Sequence, residues 1–253
     1  MKKIYFYKIL FCTVYMSFLL INANASGVKN DVQIFVMKQL PYGYISKEGQ
    51  KTGILYEILD MIVKTSDMTI PISIVPTKRL ISTMLNNEKV CSIIGNSPDT
   101  APFDIIGPIG YQVKVGILPA SGIKLDDYSS LQGIIIAVPL GIIFDEKFHN
   151  DTRLNKVRPP HYINAIKMLK LGRIDAIAGA IPILKFLAKQ QGMSLSSFDE
   201  PLVMISGEMY LFCAKSVHKN VQNKIKNTLI RLKDEGKIQK LLDSYFEEKK
   251  TDL

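Results

Sequence analysis

Apolar and polar positions along this chain fall into two alternations of strand and helix. Val32–Met37 is a β-branched, apolar run, as expected of a buried strand. Ile54, Ile58, Met61 and Ile62 recur at helical spacing, which predicts a helix over residues 53–65 with one buried face. Ile70–Val75 reads as the next strand. Pro76 and Thr77 open a second helix carrying Leu80, Ile81, Met84 and Leu85. Val90–Ile94 is a third strand after the turn Asn86-Asn87-Glu88. This βαβαβ order implies a parallel sheet flanked by helices.

Residues 95–110 are rich in Gly, Pro, Asn and Asp and read as a loop. Val113–Leu118 is again a strand, and residues 119–130 form a polar connection. A second alternation starts with a strand at Gly133–Val138 and a helix opening at Gly141. It continues with a short strand near Lys156 and Val157, a helix over Ile163–Leu171, a buried strand at Ala176–Ala178 and a helix over 181–190. Val203–Ala214 returns as a strand. Two helices close the chain, the first lined by Val221, Ile225, Leu229 and Leu232. The second is lined by Ile238, Leu241, Leu242, Tyr245 and Phe246, with Gly236 as the break. The two α/β halves are alike in architecture but not in sequence.

Between the first strand and the first helix lies Leu40-Pro41-Tyr42-Gly43-Tyr44-Ile45, then a hairpin-like turn through Lys47-Glu48-Gly49-Gln50. A strand that ends in an exposed aromatic loop puts a stacking surface at the carboxyl edge of a sheet. Open α/β sheets bind their ligands at that edge. Tyr42 is expected either to stack on a ligand or to pack on its own lobe, and Tyr44 to belong to the core.

The first 25 residues change the picture of compartment. Lys2, Lys3 and Lys8 form a positive n-region, Ile9 to Ile21 is mostly apolar, and Ala23-Asn24-Ala25 is a small-x-small cleavage site. This pattern is a signal peptide, with an uncleaved anchor as the alternative. The apolar run is shorter than the ~20 residues that a span needs. Removing 25 of the 253 residues leaves 228, enough for one or two compact lobes. Removing the three leader lysines reduces the net charge from +9 to +6. The remaining lysines are scattered, so nucleic acid is not an expected partner. Cys91 and Cys213 remain after the leader; an exported chain can pair them, and two buried thiols are the alternative. His149, His161 and His218 are isolated, no metal-type spacing exists, and no cofactor is expected.

Taken in order, these segments resemble the family 3 extracellular solute-binding proteins of bacterial ABC importers. The resemblance covers roughly residues 30–248. Leu40–Ile45 is similar to the family's proline-aromatic loop, and Gly53–Ile58 to its Gly-Phe-x-x-Asp-Leu helix start, with Glu57 in the acidic place. Arg79-Leu80, Asn87–Cys91 and Ile106-Gly107-Pro108-Ile109 resemble further family segments. Leu171-Gly172-Arg173-Ile174-Asp175-Ala176 matches its Gly-Arg-Ile-Asp-Ala motif, and Leu232–Ile238 with Tyr245-Phe246 its closing helices. The resemblance implies an α/β fold of the periplasmic-binding-protein type II. Each lobe is then a mostly parallel sheet flanked by helices, and two hinge strands join the lobes. Lobe 1 is expected over 26–110 plus 207–253 and lobe 2 over 111–206, with hinges near Tyr111–Val113 and Ser206–Met209. Such lobes close around ligand by hinge motion.

The chain departs from the amino-acid binders of that family at three anchors. The turn that carries their carboxylate-binding arginine reads Ser97-Pro98-Asp99-Thr100, and no arginine occurs between Arg79 and Arg153. Arginine suits a carboxylate because its planar fork matches two oxygens. The place of the amine-binding acid reads Gly179-Ala180-Ile181, and the hydroxyl-rich helix start reads Gly141-Ile142-Ile143. That helix start can still offer backbone N–H groups to an anion.

The candidate ligand-binding residues are therefore Tyr42, Arg79, Ser97, Asp99, Gly141 and Tyr162. Arg79 is alternatively a solvated helix residue, and Ser97 with Asp99 an ordinary capping turn. Tyr111 is expected to be structural, and Asp175 to tie its turn to the next helix. The expected function is capture of a small molecule other than a standard amino acid by a periplasmic, monomeric binding protein that delivers it to a membrane permease of an ABC transporter. A sensory or transport-uncoupled module is the alternative. An enzyme of the dehydratase kind found on this fold lacks a paired acid and base here.

Overall fold

The computed structural model describes residues 31–95, 100–140 and 145–246. The leader and its cleavage site lie outside the described residues, as do Ser97, Asp99 and Gly141. The first half of the sheet is built from β1 (Gln33–Met37), α1 (Ile54–Thr65), β4 (Ile72–Val75), α2 (Thr77–Leu85) and β5 (Val90–Gly95). A small hairpin, β2 (Tyr44–Ile45) and β3 (Lys51–Thr52), stands apart from that sheet. Strand β1 is central and pairs in parallel with β4 on one side and β5 on the other. All four of Ile34 to Met37 are buried, as a strand covered on both faces requires. Helix α1 seals one face with Ile54, Leu55, Ile58, Leu59 and Ile62, all fully buried. Burial of each such side chain contributes about 1.5–3 kcal/mol relative to exposure. Leu85, the last residue of α2, is exposed.

Two long strands continue the sheet. β6 (Asp104–Pro119) and β10 (Leu202–Cys213) pair antiparallel along their whole length. β10 then pairs with β5, and β6 with β9 (Ala176–Ala180). Beyond them β7 (Ile135–Ala137) sits between β9 and β8 (Asn155–Val157), parallel to both. The full order is β4-β1-β5-β10-β6-β9-β7-β8. In each half the first strand is central, the second is the edge and the third abuts a long strand. Helices α3 (Glu146–Asn150), α4 (Tyr162–Lys170) and α5 (Ile181–Gln190) accompany the second half, and α6 (Lys219–Asp234) and α7 (Lys237–Phe246) follow β10. Gly236, at φ +67°, makes the break between those two helices. Among the described residues no helix is long and apolar enough to cross a membrane.

Three readings of the sequence are corrected. Residues 104–110 are strand, not loop, because β10 pairs with them through Ile105, Gly107 and Pro108 and buries Ile106 and Ile109. Long-range pairing overrides the local Gly and Pro content there. Cys91 and Cys213 are register partners across β5 and β10 and form a disulfide, so the alternative of two free thiols does not hold. Asp175 ties its turn to a strand rather than to the next helix: its Oδ2 accepts from the Ile135 N–H at 2.7 Å.

Candidate functional site

The loop after β1 turns inward, and helix α1 is the reason. The first N–H groups of a helix have no partner within it. Here the Ile54 N–H donates to the Pro41 carbonyl at 2.9 Å, and the Leu55 N–H to the Tyr42 carbonyl at 3.0 Å. Gly53 makes this approach possible. Its φ is +119°, and a Cβ there would lie 2.6 Å from the Tyr42 carbonyl oxygen. Such a backbone conformation is accessible to glycine. With its backbone drawn against α1, Tyr42 is only 5% exposed.

Tyr42 therefore offers no open stacking face. Its ring stands edge-on to Tyr111, centroids 6.3 Å apart, and Tyr111 stacks on Phe246 at 5.1 Å. Burial pushes the Tyr42 phenol up to about 12, and holds the Tyr111 phenol far above its ordinary range, with Tyr42 beside it adding to the effect. The two hydroxyls perturb each other, but the Tyr111 hydroxyl is buried without a hydrogen bond of ordinary geometry. Of the two alternatives for Tyr42, packing on its own lobe is the one seen, while Tyr44, expected in the core, is only half-buried. The loop's exposed apolar side chains are Leu40 and Ile45.

A cavity of about 220 Å³ opens at the carboxyl ends of strands from both halves. The first half contributes Gln39 and Leu40, just past β1. The second half contributes Pro139 and Leu140 past β7, then Pro160, His161, Tyr162 and Ile163 at the start of α4. Leu187 of α5 completes the described lining. Leu40, Leu140 and Ile163 are large apolar side chains exposed at its lips. No carboxylate, ammonium or guanidinium group is among these lining residues. Convergence of strand ends is the geometry by which open α/β sheets hold ligands.

Tyr162 shapes the floor. Its ring lies so close over Gly179 that a Cβ there would sit 2.5 Å from the phenol oxygen. Its phenol is raised by burial, and a hydrogen bond from the Ala180 backbone partly offsets this. An aromatic ring thus covers the segment where the resembling family carries its amine-binding acid.

Of the residues singled out from sequence, Tyr162 alone lines this cavity among those described. Arg79 is exposed in the first turn of α2, beyond the carboxyl end of β4, and its side chain has no ion pair or hydrogen bond among the described residues. Tyr111 is structural, as expected. Glu57 accepts from the Thr52 hydroxyl at 2.8 Å and the Tyr245 hydroxyl at 2.5 Å, so it joins the start of α1 to α7. Reading the sequence placed Leu40 in the loop at the binding edge but missed Gln39, Pro139, Leu140, Pro160, His161, Ile163 and Leu187. The available signal was position, since Gln39, Pro139 and Leu140 follow the ends of predicted strands and Ile163 opens a predicted helix. Among the described residues no group of three His, Cys, Asp or Glu could hold a metal ion. A second cavity, of about 350 Å³, is lined from β6, α5, α7 and the segment before β10, and shares no residue with the first.

No protein-family model matches the chain. A curated relative, "Probable amino-acid-binding protein YxeM" of Bacillus subtilis (strain 168), is 21% identical over 237 residues, spanning 90% of this chain and 89% of that protein. Substrate-binding domain 2 of Lactococcus lactis GlnP, solved in an open conformation, superposes with a TM-score of 0.67 at 19% identity, over 87% of this chain and 97% of that domain. A histidine kinase sensor domain with similarity to periplasmic binding proteins superposes with a TM-score of 0.64 at 14% identity, over 87% of this chain and 98% of that one. The chain has the type II periplasmic-binding-protein fold, and its ordered motifs resemble the family 3 extracellular solute-binding proteins.

Proposed function

We propose that this chain is an exported solute-binding protein that captures a small apolar or aromatic molecule, not a standard amino acid, and delivers it to the permease of an ABC importer. The lobes that close on the ligand are residues 26–110 with 207–253, and 111–206. One observation carries the ligand class: the described cleft lining has no charged side chain to meet either end of a zwitterion. A mostly apolar cleft with a few convergent polar groups is the usual form of a small-molecule site. Gln39, His161 and the Tyr162 phenol supply those groups here. Ser97 and Asp99, which follow β5 in the sequence, and Gly141, which follows β7, belong to this reading as candidate ligand contacts. Arg79 stands beyond the end of β4, at the same edge. Tyr42 acts only indirectly, by fixing the course of the Gln39–Leu40 backbone. The described lining offers no carboxylate as general acid or base, which favours binding over turnover.

Native mass spectrometry of protein purified without refolding tests this reading. A co-purified mass that belongs to an uncharged or aromatic compound is expected; a bound standard amino acid would overturn the ligand class. The similarity to a kinase sensor domain favours, as a second reading, a sensory role for the same cleft. A pull-down with the solubilised permease distinguishes the two.

A further inference from the structure

The cavity of about 350 Å³ is not part of the cleft, and its chemistry is different. Its walls are apolar and largely aromatic: Tyr111, Ile181, Phe186, Pro201, Tyr245 and Phe246. Several of these rings are held in place from behind. Tyr245 donates its hydroxyl to Glu57 and stacks on Phe186 at 6.2 Å, and Tyr111 stacks on Phe246. Around this body stand Lys114, Lys185 and Lys189, against the single carboxylate of Glu200. Among the described residues none of the three lysines has an ion-pair partner. Three cations without an ion-pair partner among the described residues, around an apolar pocket, select the sign of a ligand's head group, while the rings select its body. The volume falls in the range of small-molecule sites.

We infer that this cavity is a second ligand site, for a small amphiphilic carboxylate whose apolar chain lies on Phe186 and Tyr245 and whose head group meets Lys114, Lys185 and Lys189. The occupant touches α5, which packs on the second half of the sheet, and α7, which packs on α1 and α6 of the first. It therefore bridges the two halves outside the cleft. Lysine is suited to such a head group as a mobile point charge rather than as a fixed fork.

Calorimetric titration of the full mature chain with octanoate, and with octanol as the uncharged counterpart, tests the inference. Octanoate is expected to bind with a Kd on the order of 0.1–1 mM, as befits a ligand of its size. Octanol should bind at least roughly tenfold more weakly, and added salt should erode the difference. Lys114→Glu with Lys185→Glu should weaken octanoate roughly tenfold or more. Phe186→Ala should weaken acid and alcohol alike. Leu140→Asp, at the cleft lip, should leave octanoate binding unchanged. Equal binding of acid and alcohol, or loss of octanoate in Leu140→Asp but not in the lysine variant, would overturn the site. So would lysine-dependent sedimentation with phosphatidylglycerol vesicles in the absence of octanoate binding, because the lysines would then read a lipid surface. Failure of the octanoate site leaves the cleft reading untouched, since the two cavities share no residue.

Discussion

The two halves of the sheet repeat one arrangement and secure it by different means. In both, a central first strand is flanked in parallel by the next two, and a long antiparallel strand closes the set. The first half is held by covalent and side-chain ties: the Cys91–Cys213 disulfide and the Glu57–Tyr245 hydrogen bond. The second relies on a carboxylate bonded to a strand backbone, Asp175 to Ile135. The cleft divides its labour just as unevenly. The first half lends Gln39 and Leu40, while the second lends most of the described lining. Topology thus recurs without dictating which half recognises the ligand.

Removing the disulfide tests the contrast most strongly. The bond closes a sequence separation of 122 residues. Cys91→Ala with Cys213→Ala should cost about 2–4 kcal/mol in urea unfolding. Hydrogen exchange should rise first in β5 and β10, and a uniform rise across both halves would break the comparison. Next in size is Asp175→Ala, which leaves the Ile135 N–H without its partner. A loss of about 1–3 kcal/mol is expected, with faster exchange in β7 and β8. Tyr245→Phe removes one hydrogen bond to the Glu57 carboxylate and should cost about 1–2 kcal/mol, read as a lower melting temperature.

The smallest effect depends on pH. Asp104 receives hydrogen bonds from Lys219 at 2.6 Å and Gln222 at 2.9 Å, which hold its carboxyl below the ordinary aspartate value. A depressed carboxyl stabilises the fold fully above its unfolded pKa, near about 3.9, and loses that contribution as pH falls through the folded value below it. Asp104→Asn should therefore cost about 1 kcal/mol or less at neutral pH, because the pair is largely solvated. The gap to the parent chain should shrink below about pH 4. A constant gap across that range would remove the ion pair from the account.

Much of this was legible in the sequence, because burial follows period. The alternations of β-branched runs and helical repeats placed most elements of both halves, from β1 with α1 to α6 with α7, although α3 spans Glu146–Asn150 with Asp145 as its N-cap rather than opening at Gly141. The C-terminal portion of the loop assigned to 95–110 was misread since its partner strand is about 100 residues away, and no local pattern reports such a pairing. Tyr44, expected in the core, is only half-buried, and Tyr42 takes the buried one of its two alternatives, for a similar reason. Which of two aromatic residues turns inward is decided by how Pro41 and Tyr42 cap α1, and that depends on the positive φ of Gly53. Cysteine pairing likewise needed the β5–β10 register. Apart from Tyr162, the apolar cleft residues were illegible by type, being plain Leu, Pro and Ile, yet several were legible by place, at the ends of strands.

The claim that the described cleft lining, lacking charge, does not hold a zwitterion is tested most directly by calorimetric titration of residues 26–253 with the full set of standard amino acids. The account predicts no dissociation constant tighter than about 100 µM, because a zwitterion would shed its water without a charged partner among the described lining residues. Micromolar binding of any of them, lost in Leu140→Asp or Tyr162→Ala, would contradict it.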